Sequence, residues 1–500
     1  MSKSPRPVSG SHRLNKSLFA AGTQCAKRLH QEFHDPDSVP APSESRQALA
    51  EVGRRLTEMA REGFPRAQRI EHEQHDEAVA ETRAVLDAAS GVAVFDAAFE
   101  RDGVEVRCDI VLPGREPNQL DIFEVKSGTK VKPRHVMDIA LQIWVIEGSG
   151  YTVGSASVLH LDAEYRHSGS KTYPVHKLFK NVDVTKKARR RKRRIPDLIE
   201  NFQHVLDDDT TLDLPMGTWC INPIPCGYLE KCSAAAPPNQ LLELPELTPA
   251  QESSLHQEGI ETIEQISTET TSLTRTQRRV LRALETGSLM VDPTVHEEFE
   301  TVIFPLCFMA TSLSLQVLPR FAHSRPWQQL PYLWSAHILH EDGRIEQRSF
   351  VSATEQDPRG EFLSRFLEGI DDLGTVFTWS RAFLPCVRQV MEDVSELREE
   401  AKAVLQMDPV ELDSQVRQGI YHPAMRGDFS LFEVRDALVG ARTRGEGIVD
   451  DEGARSAYER LLNSRTRSTT RNKLQAELLA YGAARSAAML EIYQAIANAK

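Results

Sequence analysis

The chain has 500 residues, too many for one ordinary hydrophobic core, and its 40% hydrophobic and 26% charged residues are those of a globular protein of two to four domains. A net charge of −12 excludes the global basic field of an avid nucleic-acid binder, so any such binding has to be local. No run of about 18 apolar residues occurs, and the basic N-terminus has no apolar signal region behind it, so no membrane span and a cytoplasmic location are expected.

In chain order, residues 1–16 read as a flexible tail. A helix follows over roughly 44–62, with Leu49, Val52, Leu56 and Met59 on one face. From about 92 the pattern turns to strands. VAVFDAAF, VEVRCDIVL and LDIFEVKS are short β-branched and aromatic runs separated by turn formers at Asp102-Gly103 and Pro113-Gly114. A helix over about 134–148 and a strand, SASVLHL, complete an α/β core with a mixed sheet flanked by helices. Lys186, Lys187, Arg189, Arg190, Arg191, Lys192, Arg193 and Arg194 form a basic block interrupted only by Ala188. Such a block neutralises phosphates by counterion release, or else is a solvated helix face or a disordered arm. It leads into a helix with Ile195, Leu198, Ile199, Phe202 and Val205 at helical spacing. After a cysteine-rich loop at 220–232, AAAPPNQLLELPELTP reads as a linker and 248–290 as short helices. A second α/β domain runs from about 300 to the end. The expected organisation is a domain over 17–235, a helical connector over 236–295 and a domain over 296–500.

Asp109 lies in one predicted strand. Glu124 and Lys126 lie two apart in the next, so they share a face, while Phe123 and Val125 turn to the core. Charge on an otherwise apolar strand is costly unless it is paired or binds a metal. Two carboxylates at short range suit Mg²⁺ or Mn²⁺, which lowers the pKa of bound water and acts as a Lewis acid in phosphodiester cleavage. A lysine beside them orients that water and stabilises developing charge. By spacing alone the pattern equally describes a cross-strand ion pair. The helix that follows carries Gln142 among apolar neighbours, where a buried amide needs a partner.

With RCDIVL, EVKSGTKVK and HVMDIALQIWVIEGSG, residues 96–166 resemble the core of the PD-(D/E)XK nuclease superfamily in its RecB-like branch. The resemblance implies that Asp109 and Glu124 bind metal, that Lys126 completes the site and that Gln142 supports it or contacts substrate. Trp144 stands at the branch's aromatic position. The first helix of the branch often adds a His or Glu; here Thr57 stands where the histidine would be, and Glu58 is a weak substitute.

Seven cysteines in a chain expected to be reduced point to metal ligation or burial rather than disulfides. Cys25 stands far upstream of Cys220, Cys226 and Cys232, which are spaced C-x5-C-x5-C. That spacing alone leaves zinc and iron–sulfur open. One cysteine before the core and three after it resembles iron–sulfur RecB-type nucleases, including CRISPR-associated adaptation nucleases and the nuclease subunits of some recombination helicases. The resemblance implies a [4Fe–4S] cluster that staples the chain ends, with Zn²⁺ the alternative. Cys108, Cys307 and Cys386 read as core thiols.

Residues 243–500, through SRPWQQLPYLWSAHIL, DPRGEFLSRFL and YHPAMRGDFSLFEVRDAL, resemble a bacterial family in which the RecB-like nuclease is fused to an RNase H-like domain of the proofreading-exonuclease kind. That kind binds two metals through acidic residues. Here Ala310 and Ser312 stand at the first acidic positions, Ser380 and Leu384 at the next motif, and Gly482 and Arg485 in the last helix. The second domain is therefore expected to keep the fold without catalysis. LHQEGIETIEQI in the connector reads as packed helices, with a weaker likeness to helix–hairpin–helix modules. The expected function is a metal-dependent nuclease for single-stranded DNA or DNA ends, in repair, recombination or defence, with a helicase or another repair or defence protein as the partner class. A non-catalytic nucleic-acid-binding scaffold and an RNase using the same site are the rivals.

Overall fold

The structure, a computed structural model, describes residues 12–88, 91–207, 212, 214–267, 270, 272–353, 355–370, 373–441 and 447–499. It is mixed α/β and divides into two compact units, one of Met1–Pro215 with Trp219–Ala234 and Arg325–Trp327, the other of the remaining residues to Lys500. Among the described residues no helix is long and apolar enough to cross a membrane.

The first unit begins with β1 (Leu14–Asn15), α1 (Lys16–Gln24), α2 (Ala26–His34) and α3 (Glu44–Arg61). Part of the expected tail, residues 1–11, lies outside the described residues. The rest departs from expectation: β1 pairs in parallel with a central strand through Leu14↔Val104, and the Asn15 side chain caps α1 by accepting the Leu18 N–H. Leu14 is fully buried, which anchors a segment whose polar neighbours read as disorder. On α3 only Leu56 of the predicted apolar face is buried, with Ala60 and Arg61; Leu49 is exposed.

Next come β2 (Ala67–Arg69), α4 (His75–Asp87), β3 (Ala93–Arg101), β4 (Val104–Pro113), β5 (Gln119–Lys126), α5 (Pro133–Gly148) and β6 (Thr152–Leu161). The unit continues with α6 (Val175–Leu178), β7 (Phe179–Asp183), α7 (Thr185–Lys192) and α8 (Ile195–Asp207). The sheet order is β2-β3-β4-β5-β6-β7, with β1 beside β4. As the turn formers predict, β3, β4 and β5 are antiparallel, and the β3–β4 turn uses positive φ at Asp102 (50°) and Gly103 (76°). The α5 crossover returns β6 parallel to β5. Ten residues of α5 are buried, including Ile139, Ile143 and Ile146, so this helix is the centre of the core. The sequence offered no sign of α2, α4 or β7.

In the second unit the strands Ile345–Val351, Gln328–Leu339, Leu306–Gln316, Val376–Thr378 and Val410–Glu411 lie side by side in that order. The first three are antiparallel and the last two are added in parallel. The 30-residue helix Ser468–Ala497 packs its Met489, Ile492 and Tyr493 into the same core as Phe308 and Phe377, whose rings stack at 5.1 Å. The stretch expected as a linker is structural: Leu241 and Leu244 are buried in this core, and the helices Pro249–Gln257 and Arg275–Thr286 belong to it through Leu255, Val280 and Leu281.

Candidate functional site

The β4–β5 ladder runs from Pro113↔Leu120 to Ile110↔Phe123 and stops there. Where the strands part, the Asp109 carboxylate reaches across and accepts the backbone N–H of Val125 at 2.7 Å. The carboxylate thus takes a bond that a strand carbonyl would otherwise accept.

Glu124 and Lys126 share a face of β5, as the two-residue spacing requires, and Lys126 Nζ donates to Glu124 Oε1 at 2.7 Å. The Glu124 side chain is almost wholly buried, with 4% exposed. Gln142 on α5 donates through Nε2 to Glu124 Oε2 at 2.7 Å, while its Oε1 is buried without a partner. Two residues outside the sequence reading, Asp138 and Lys16, complete the cluster. Asp138, one turn before Gln142 on α5, accepts Lys126 Nζ at 2.8 Å and Gln142 Nε2 at 3.3 Å. Lys16, the first residue of α1, donates to Glu124 Oε1 at 2.9 Å and lies 3.1 Å from Asp138 Oδ1.

The cluster holds three carboxyl groups and two ammoniums. Burial and the charge of Glu124 push Asp109 up to about 7, with Lys16 opposing. Burial would raise Asp138 too, but Lys16 and Lys126 outweigh it and hold that carboxyl below its ordinary range. Both lysines are pulled down by burial and more than restored by Glu124 and Asp138, so they stay charged. A cavity of about 500 Å³ opens beside them, lined by Lys16, Lys126, Lys132, Arg134, His135 and Asp138 among others. Burial and the Lys126 charge bring His135 down to about 4, and its Nδ1 accepts the Lys132 N–H, so the neutral ring carries its proton on Nε2.

The donor set fits a divalent cation of the hard type. Mg²⁺ is usually held by one or two carboxylates, with water and phosphate oxygens filling the remaining positions. Asp109 and Glu124 supply two, and the repulsion that raises Asp109 is what a dication would relieve. A closed cage is not present: among the described residues no group of three or more His, Cys, Asp or Glu is arranged to hold a metal ion. Glu58 does not join the site. Its carboxylate is held by Arg61 at 2.7 Å and by Arg69, and Arg61 also donates to Asp96 at 2.6 Å.

Cys25, Cys220, Cys226 and Cys232 are all half-buried thiols of the first unit. Gln24, next to Cys25, ties the distant loop to α1 by donating to the Trp219 and Ile224 carbonyls, both at 3.0 Å. Burial raises the Cys232 thiol, and the charges of Cys226 and Cys25 act on it as well. The four are thus brought into one region without converging as a cage. The remaining cysteines, Cys108, Cys307 and Cys386, are buried.

The basic block is helical as α7 and splits in two. Arg189 and Lys192 pair with Glu147 on α5, and Arg191 donates to the Pro133 carbonyl at 3.2 Å. Lys186, Lys187, Arg190, Arg193 and Arg194 are exposed.

Of the altered catalytic positions read from sequence in the second unit, Ala310, Ser312, Ser380 and Arg485 line one cavity of about 230 Å³, while Leu384 and Gly482 are not in its lining. Residues 313–430 match the family described as a domain of unknown function, DUF2779. No curated protein matches the chain. Apart from Arg325–Trp327, the matched stretch lies in the second unit, and it contains none of Asp109, Glu124, Lys126 and Gln142.

Asp138 was detectable from the sequence as a second polar residue four positions before Gln142 on an apolar helix. Lys16 carried no such signal, standing 108 residues from Glu124.

Proposed function

We propose that the first unit is a metal-dependent deoxyribonuclease of the PD-(D/E)XK, RecB-like type, acting on single-stranded DNA or DNA ends. The observation that carries the reading is the gathering of Asp109, Glu124, Lys126 and Gln142 from two strands and a helix, with Lys126 at the wall of a basic cavity. Asp109 and Glu124 would hold Mg²⁺ or Mn²⁺, which when bound supplies a water of lowered pKa and charge neutralisation at the scissile phosphate. Gln142 fixes the orientation of Glu124 through Oε2. Lys126, held charged between Glu124 and Asp138, offers an N–H to the attacking water or a phosphate oxygen. Lys132 and Arg134 stand along the cavity where a phosphate backbone would pass, and the exposed half of the basic block would extend that track. His135 is neutral and can donate a hydrogen bond without adding charge.

The four cysteines would hold a [4Fe–4S] cluster that staples Cys25 to the loop 195 residues on, with Zn²⁺ the alternative; the Gln24 bonds to that loop support such a staple. Iron and acid-labile sulfide analysis of anaerobically purified protein separates the two. By fold analogy the setting is DNA repair, recombination or defence, beside a helicase or a similar partner. In the second unit, the mixed sheet and the clustering of Ala310, Ser312, Ser380 and Arg485 support an RNase H-like domain without its metal-binding acids.

A non-catalytic nucleic-acid scaffold has one observation in its favour: Lys16 already supplies a cation to Glu124 and Asp138. The deciding experiment is cleavage of end-labelled single-stranded DNA and RNA with Mn²⁺, beside Glu124→Ala. The nuclease reading expects DNA cleavage that falls at least about a hundredfold in the variant. Intact DNA with retained binding would establish the scaffold instead, and cleavage of RNA alone an RNase.

A further inference from the structure

The second unit's cavity has the wrong charge for a cation and the right one for a phosphate. Its floor is the strand Leu306–Gln316, where Ala310 and Ser312 face it, and its walls include Tyr332, Trp379, Ser380, Arg455 and Arg485. Arg485 spends one nitrogen, Nη1, on the Thr311 carbonyl at 2.8 Å and Ser312 Oγ at 3.1 Å, with Asp451 at 3.4 Å. A guanidinium carries five N–H groups, and among the described residues those outside Nη1 make no hydrogen bond. Arg455 is paired with no carboxylate among the described residues. Among the described residues Asp451 is the one carboxylate lining the cavity, and its side chain is 62% exposed, so the two arginines leave a net positive charge. The Tyr332 ring is fully buried, with its hydroxyl beside Ser312.

We propose that this cavity binds a nucleotide without a metal ion, its phosphate on Arg455 and the open side of Arg485 and its base against the Trp379 ring. A guanidinium matches phosphate geometry in a way a hydrated cation does not, and an aromatic wall accepts any base by stacking. About 230 Å³ accommodates a single nucleotide unit rather than a duplex. The proposal stands on the second unit alone and does not depend on the carboxylate cluster of the first.

The test is calorimetric titration of the full-length protein, in EDTA, with deoxyadenosine 5′-monophosphate, deoxyadenosine, inorganic phosphate and a 5′-phosphorylated dA tetranucleotide. The monophosphate binds at one site, and deoxyadenosine binds at least about tenfold more weakly. Arg455→Glu lowers monophosphate affinity at least about tenfold, and Trp379→Ala weakens the nucleotide but leaves inorganic phosphate unchanged. A tetranucleotide tighter than the monophosphate identifies the natural ligand as a strand end; the reverse order identifies a free nucleotide. Arg455→Gln serves if the glutamate variant does not fold. Absence of binding in EDTA, or native affinity in both Arg455 variants, overturns the proposal.

Discussion

Glu124 divides its two oxygens between different partners: ammoniums on Oε1, an amide on Oε2. Asp109, by contrast, has one backbone bond and a high proton affinity. Its carboxyl titrates near 7 in the fold and near 4 in the unfolded chain, so the stability it contributes is full below pH 4 and is lost as pH rises through 7. Asp138 runs the other way: depressed in the fold, it stabilises above its ordinary pKa and loses that contribution as pH falls through the lowered one. A proton and a divalent cation compete for Asp109. Mg²⁺ is therefore expected to raise the melting temperature of the first unit more at pH 8 than at pH 6, and equal shifts at both pH values would contradict its binding there.

Lys16 gives a second residue-scale prediction. Without metal, Lys16→Met leaves Glu124 and Asp138 with the Lys126 ammonium and the Gln142 amide and costs about 1–3 kcal/mol, a drop of several degrees in Tm. The same variant needs less Mg²⁺ for half of its thermal shift, because the resident ammonium no longer competes. Titrations of Tm against Mg²⁺ for both proteins read this directly.

At the scale of elements, the parts legible in the sequence were those with a strong period and explicit punctuation. The β3–β4–β5 meander alternates and turns at Asp102-Gly103, and α5 is a long apolar helix with one conspicuous amide. Glu124 and Lys126 follow from the pleat alone. What escaped is what tertiary contact decides. β1 has two residues and no periodicity, and only its pairing with β4 makes it a strand. Lys16 reaches Glu124 because β1, paired with β4, fixes the start of α1. The supposed linker was misread because prolines and polar residues outnumber Leu241 and Leu244, the two side chains that matter.

The long helix of the second unit lies close on its sheet through Gly482. A Cβ there would come within 2.8 Å of the Leu333 side chain and 3.1 Å of Ser335. Leu333 is fully buried and has no room to retreat. Gly482→Ala is expected to destabilise the second unit by about 1–3 kcal/mol through overpacking, measurable as a lower denaturation midpoint.

At the scale of the whole molecule, each unit owns its hydrophobic core: α5 and its neighbours in one, Phe308, Phe377 and the long helix in the other. Two cooperative transitions are the expectation. Lys16→Met should move one and Gly482→Ala the other, with additive effects when combined. A single transition displaced by both substitutions would mean that the units unfold as one body.

The Asp109 carboxylate closes the gap between β4 and β5 and is also the proposed metal ligand, and chemistry can separate the two. An asparagine at 109 keeps an oxygen for the Val125 N–H while removing the charge. An alanine would strand that donor, at about 1–3 kcal/mol if no water replaces it. If the proposed nuclease reading holds, Asp109→Asn is the natural reagent for capturing the protein with uncut DNA: a dormant twin, shaped like the native chain, that would bind a strand without cutting it.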